Sequence, residues 1–187
     1  MKFDIENEIC LGISHSGAVM TEGTGILELD DNEVSLLINI IKEKKTSDVD
    51  ELGIEESHPD LYEKLRQAYY DMAYRAEELH WLWEGYNNGY FEYDNEELKS
   101  YCKENCGFKF EYDEANYTDD EGDLDEDSIE DDENEAFSEW LDDYVAGLDD
   151  DKACEFFYNH MNADLNLDDI SYDVEIPKTI VEMAQNA

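Results

Sequence analysis

The sequence predicts an α+β fold: a small antiparallel sheet built from both chain ends, with helices packed on it. Three observations carry this. Residues 2–29 read as short alternating or apolar stretches broken by turn residues, and Ile170-Ser171-Tyr172-Asp173-Val174-Glu175-Ile176 alternates in the same way near the C-terminus. Helical periodicity fills the middle, most strongly between Leu61 and Trp83. Apolar residues make up 41% and aromatics 12% of the 187 residues, enough for a core, whereas acidic disordered chains are poor in aromatics.

At the N-terminus Lys2-Phe3-Asp4-Ile5 alternates and Ile9 to Ile13 is apolar. Ser14-His15-Ser16-Gly17 is turn chemistry and Gly23-Thr24-Gly25 reads as a second break. Asp30 with Glu33 three residues on forms a capping box, opening a helix to about Lys45 that buries Val34, Leu37, Ile38 and Ile41. Its last turn carries Lys42, Lys44 and Lys45, which suits the negative end of the helix dipole. Asp48 to Leu52 is expected to form one helical turn. Pro59 is placed as a first helical residue. A long helix follows from it to about Tyr86, with Leu61, Leu65, Ala68, Met72, Ala76, Leu79 and Trp83 on its apolar face, and Asn87-Asn88-Gly89 stops it.

Beyond Gly89, Tyr90 to Tyr93 is extended, Asn95 is expected to cap a helix from Glu96 to Cys106, and Gly107 to end it. Phe108 to Tyr112 alternates as a strand. Residues 113–134 form an acidic stretch read as a loop or linker, of which about Asp119 to Glu133, with little but Leu124 and Ile129 to bury, is expected to be dispensable for folding. Helices over Glu135–Leu148 and Asp150–Met161 come next, then the strand at 170–176, stopped by Pro177, and a short helical tail. The expected organisation is a core at 1–112, an acidic loop at 113–134, and a segment 135–187 that completes the same domain.

The dominant feature is charge. The chain carries 53 Asp and Glu against 12 Lys and Arg, a formal charge of −41. From Phe110 to Asp151 there are 21 acids and no Lys or Arg. Such a surplus destabilises a compact fold through self-repulsion, and solubility needs far less. It points to a strongly positive partner surface, and grooves that neutralise phosphates are the commonest of these. A halophilic origin would spread the acids and thin the large apolar residues, whereas here the acids cluster.

No apolar run approaches the length of a membrane span. The start MKFDIENEICLGI interrupts any apolar signal region with acids, so a cytoplasmic protein is expected. No membrane partner is expected either, since anionic lipid would repel the chain. Cys10, Cys102, Cys106 and Cys154 read as reduced, non-ligating thiols.

Catalytic and metal motifs fail on inspection. Glu77-Glu78-Leu79-His80 holds one Glu-x-x-His, but a carboxylate-bridged metal pair needs two. A solvated helix face is expected there instead. An EF-hand register from Asp119 places Leu124 where glycine is required, and one from Asp123 places Ser128 and Asn134 at the glycine and glutamate positions. Gly12-Ile13-Ser14-His15-Ser16 lacks the final glycine of a nucleophile elbow and lies between strands, so it is a hairpin turn. The reading is a protein without enzymatic activity, cofactor or metal.

The candidate partner-binding residues are therefore carboxylates: Asp119, Asp120, Glu121, Asp123, Asp125, Glu126 and Asp127 in the loop, and Glu139, Asp142, Asp143, Asp149, Asp150 and Asp151 on the following helices. Tyr70, Tyr74 and Trp81 on the long helix are the candidate aromatic anchor. In size, in its charge of −41 and in its basic-free run, the chain resembles the nucleic-acid-mimicking inhibitors of phages and mobile elements. These include anti-restriction and anti-CRISPR proteins, and the chain is most similar in type to the gut-bacterial anti-CRISPR proteins that inhibit Cas9. The resemblance covers the whole chain as a type and no motif carries it, so no family residue transfers to a position here. It implies a basic nucleic-acid-binding protein as partner, Cas9 or a restriction enzyme, with no direct binding of nucleic acid by this chain. Cas9 holds its heteroduplex in a positively charged channel. The alternatives are a calcium-binding protein and an acidic adaptor for a basic host protein, and the self-association state, a homodimer included, stays open.

Overall fold

The structure, a computed structural model, describes residues 1–118, 122–167 and 170–187, with all their side chains except those of Ile13 and Ser14. The elements are β1 (Lys2–Ser14), β2 (Gly17–Glu28), α1 (Asp31–Lys44), α2 (Val49–Leu52), α3 (Ile54–Ser57), α4 (Pro59–Asn87), α5 (Asn95–Tyr101), α6 (Glu126–Ala146), α7 (Asp150–His160) and α8 (Lys178–Asn186). The fold is α+β. The contacts divide the chain into two compact units, Met1–Trp83 with Leu165–Ala187, and Glu84–Asp164.

In the first unit β1 and β2 form one antiparallel hairpin closed by His15-Ser16, as the turn chemistry predicts. A bulge at Leu11 shifts the register between Cys10 and Gly12. Gly23 and Gly25 do not break the strand; they lie inside β2, where the hairpin crosses α4. A Cβ on Gly25 would sit 3.0 Å from Met72 Cβ, and one on Gly23 would sit 3.2 Å from both Met72 Cγ and Ile9 Cγ1. The glycines are there for close backbone approach, one of the two uses of glycine within a strand.

Asp30 caps α1 by accepting from the Asn32 and Glu33 amides (2.8 and 2.9 Å), while Glu33 takes the Asp30 amide (2.8 Å), the full capping box. α8 packs on α1. Ile9, Leu37, Ile54, Leu65 and Ile180 are wholly buried at the centre of this core. The expected C-terminal strand does not join the sheet. Ser171 makes a single bridge to Cys10, the Asn7 amide donates to the Asp173 carbonyl (2.7 Å), and Ile176 and Pro177 are buried. The segment is fixed by side chains and one bridge rather than by a ladder, so the sheet comes from the N-terminal hairpin alone.

The second unit is helical. Asp94, not Asn95, caps α5 (Glu97 amide, 2.9 Å), and after Tyr101 the backbone widens into one π turn, Cys102–Cys106, before Gly107 turns it at φ 89°. Phe108–Tyr112 forms no strand and has no ladder partner among the described residues. Phe108 is instead buried against Phe137 and Trp140, with ring centroids 5.1 and 5.4 Å away. Phe157, also fully buried, receives Tyr86 and Phe91 at 5.1 and 5.7 Å. Phe91 reaches it over Gly85, where an added Cβ would stand 2.4 Å from the ring.

The largest correction concerns the acidic stretch. α6 starts at Glu126, inside the stretch expected to be a loop, and runs 21 residues to Ala146. Its apolar row repeats every four residues, and Ile129 belongs to it two turns before Phe137, Leu141 and Val145. Among the described residues no helix is long and apolar enough to cross a membrane.

Candidate functional site

α6 is the element that gives the acids a geometry. Its start is fixed in two ways. Asp125 is the N-cap, accepting from the Ser128 amide and hydroxyl (3.1 and 2.8 Å), and these bonds hold its carboxyl below the ordinary value. Upstream, Thr118 bridges Leu124, the Asp125 amide donates to the Tyr117 carbonyl (2.7 Å), and the Tyr117 hydroxyl donates to Asp132 (2.5 Å). The Asp132 hydrogen bond is the first cause of a raised Tyr117 pKa.

Two lysines hold the inner side of α6. Lys99, 2% exposed, contacts Glu96 (2.8 Å), Asn134 (2.7 Å) and Glu133 (3.4 Å), and Lys103 meets Glu133 at 2.8 Å. Burial pulls Lys99 downward, but the bonds and charges of Glu96 and Glu133 outweigh it and leave the lysine above its ordinary value. Burial likewise pushes Glu133 up, and Lys103 and Lys99 reverse this and hold the carboxyl low. Two of the four cations of the second unit, Lys99, Lys103, Lys109 and Lys152, are thus engaged in seating α6.

The rest of α6 faces water as carboxylate. Glu126, Asp127, Glu130, Asp131, Asp132, Glu135, Glu139, Asp142 and Asp143 are all exposed. Asp127, Asp131, Glu135, Glu139 and Asp143 form a row at i,i+4, each step rising about 6 Å along the axis. Counting Glu133, ten acids lie on a helix of 21 residues, about 31 Å long, so one negative charge falls every ~3 Å. One strand of duplex DNA presents one every ~3.4 Å.

The structure sorts the sequence-predicted candidates accordingly. Asp119, Asp120 and Glu121 lie outside the described residues. Asp123 is exposed just before α6; Glu126, Asp127, Glu139 and Asp143 are exposed on it. Asp142 is exposed and accepts from the Tyr86 hydroxyl (2.6 Å), and burial followed by this bond raises the tyrosine. Asp149 caps α7 through the Lys152 amide (3.0 Å) and pairs with the Lys152 ammonium, which holds it low; Asp150 and Asp151 occupy the first turn of α7, exposed. Asp125 and Asp149 are therefore caps first.

Sequence reading missed Glu130, Asp131 and Asp132, because a stretch so acidic was read without a period, and it placed Glu135 on a helix without naming it a candidate. Ile129 was the available signal, eight residues before Phe137 in the same apolar row. Tyr70, Tyr74 and Trp81 are exposed at 41, 43 and 36%. They lie 4 and 7 residues apart on α4 and share one face, with Tyr74 and Tyr172 each 6.2 Å from Tyr70. Glu77, expected on a solvated face, is buried at 1%. Among the described residues no three His, Cys, Asp or Glu side chains are placed to hold a metal ion. The chain matches no protein-family model, no curated protein and no solved structure.

Proposed function

We propose that the protein is a nucleic-acid-mimicking inhibitor that occupies the basic DNA- or RNA-binding groove of a bacterial defence nuclease, a CRISPR effector such as Cas9 before a restriction enzyme. The observation that carries the reading is the charge spacing on α6, one carboxylate per ~3 Å over ~31 Å with no Lys or Arg on the helix. A groove that has placed arginines against successive phosphates meets carboxylates at a similar linear density, and each can accept charge-assisted, bidentate bonds.

Rigidity supports the same reading. Acids on a helix capped by Asp125 and seated by Lys99 and Lys103 are ordered before contact, so less entropy is lost on binding than with a loose chain. Their summed field also steers a cationic partner into encounter.

The test is competition. Purified protein is titrated into Cas9 bound to guide RNA, and separately into a restriction enzyme, with labelled duplex DNA present. Displacement of DNA is expected, with an affinity that falls steeply between 50 and 300 mM salt, since exposed charges are screened beyond about 8–10 Å at physiological ionic strength. Inhibition that leaves DNA bound, or an affinity indifferent to salt, refutes the mimic.

A further inference from the structure

The outer edge of β2 is an open strand edge. Cys10 on β1 turns its amide and carbonyl toward Ser171 (3.2 and 3.5 Å), away from β2. Cys10 and Met20 are therefore a non-hydrogen-bonded pair of the hairpin ladder. The register runs unbroken from there to Lys2 opposite Glu28, so alternation turns the amides and carbonyls of Met20, Glu22, Thr24, Ile26 and Glu28 outward, away from β1. Among the described residues no segment pairs with them.

β2 lacks several of the usual protections of such an edge, and the charges it does carry are acidic. Gly17–Glu28 contains no Lys and no Pro, and the hairpin's bulge is on β1. The five outward residues also carry exposed side chains on the solvent face, with Met20 48% and Ile26 56% exposed. That face is acidic. Glu22 and Glu28 stand on the edge itself, Asp4, Glu6 and Glu8 stand on β1, and Lys2 and Lys178 are already taken up by Glu28 (2.7 Å) and Glu6 (2.5 Å).

We propose that this edge accepts an extended cationic segment of a partner protein as a third strand, by β-augmentation. Backbone groups from Met20 to Glu28 supply the ladder. The incoming strand sets Lys or Arg beside Glu22 and Glu28, where opposite charges across a strand pair are favourable, and apolar side chains on its other face. Charge complementarity selects this occupant over a second copy, which would bring a further −41 to the same edge. The surface belongs to the unit without α6, so it stands apart from the groove-filling reading and its test does not use nuclease inhibition.

The probe is a blocked nonapeptide of alternating Val and Lys, added to the full chain. Amides of Met20, Glu22, Thr24 and Ile26 are expected to gain protection from hydrogen exchange. N-methylation of the peptide's Lys residues, whose amides face β2 when Lys lies beside Glu22, is expected to weaken binding at least ten-fold. N-methylation of its Val residues should leave binding unchanged. In the protein, Thr24→Pro removes an outward amide that the β1 ladder does not use, and should also cost at least ten-fold with the circular dichroism intact. Should Thr24→Pro unfold the chain, the two methylated peptides decide the matter on the native protein. Equal binding of both peptides means charge adhesion without strand pairing and overturns the proposal. A dimer in sedimentation that Thr24→Pro dissolves overturns it too, because a second copy then fills the edge.

Discussion

Replacing Asp127, Asp131 and Asp143 with Asn and Glu135 and Glu139 with Gln should make the protein more stable and a poorer inhibitor at once. The row holds four successive i,i+4 carboxylate pairs, all exposed. Like charges at that spacing destabilise a helix by about 0.2–0.5 kcal/mol per pair, so relief amounts to about 1–2 kcal/mol at low salt. Dipole terms nearly cancel, since Asp127 lies in the favourable first turn and Asp143 near the unfavourable last one. For a chain of this size ~1 kcal/mol moves Tm by about 2–4 °C. A rise of about 2–8 °C at low salt is expected, shrinking by 0.5 M salt as screening removes the repulsion. Binding should move the other way. Five lost charge contacts at the exposed-pair scale of about 0.2–1 kcal/mol each remove about 1–5 kcal/mol, roughly one to three and a half decades in Kd. Thermal melts followed by circular dichroism and cleavage assays with purified Cas9 read the two effects separately. A variant that is less stable at low salt shows the row to be structural. A variant that inhibits at full strength removes α6 as the active surface.

Three further outcomes follow from the second unit. Lys99→Met removes the buried cation beside Glu133, leaves it only the part-exposed Lys103, and should cost about 2–4 kcal/mol in urea denaturation; adding Glu133→Gln should recover part of it in a double-mutant cycle. Gly85→Ala should fail to stabilise although alanine favours a helix by about 1 kcal/mol, because its Cβ would lie 2.4 Å from the Phe91 ring and overpacking costs about 1–3 kcal/mol, a net loss of up to about 2 kcal/mol; a raised melting point would refute that contact. For pH, Glu133 is held below its ordinary 4.5, so the stability it lends is complete above 4.5 and is lost as pH falls through the lowered value. Lys99 is held above 10.5, so its share is complete below 10.5 and is lost as pH rises through the raised value. The wild type minus Lys99→Met difference in urea midpoint should therefore be flat from about pH 5 to 10 and narrow outside it.

Much of this fold was legible because local chemistry and burial agree. The Asp30–Glu33 capping box, the start of α4 at Pro59 and the two-residue turn at His15-Ser16 each need only neighbours in sequence, and all three are present. Features that depend on a distant partner were not legible. Gly23 and Gly25 look like breaks until Met72 is seen against them. The 170–176 segment alternates like a strand, yet Asn7 and one bridge hold it. The first half of α6 was hidden for a different reason. Eight of its first ten residues are polar acids or Asn, a composition that reads as solvated chain, and its helix is secured from outside by Lys99, Lys103 and Tyr117.

That dependence bears on which surface acts. A helix with its acids repelling along one row forms only because Phe137, Leu141 and Val145 are buried beneath it and two lysines offset one inward glutamate. The repulsion is a standing cost at every step, and exposed Asn or Gln at the same positions would form the helix more readily. The aromatic stripe of Tyr70, Tyr74 and Trp81 imposes no such repulsion, since its side chains are uncharged and more than half of a folded surface is apolar anyway. On the proposed reading, the exposed row that opposes the fold is kept for the cationic groove it enters, whereas Glu133 answers the two lysines that seat the helix. The two surfaces also differ in how they would answer salt. Contact through the stripe would persist at 0.5 M, whereas contact through α6 would be screened away. Inhibition by the Tyr70→Ala, Tyr74→Ala, Trp81→Ala variant, measured across that salt range, separates them: it should follow the wild type if α6 makes the contact.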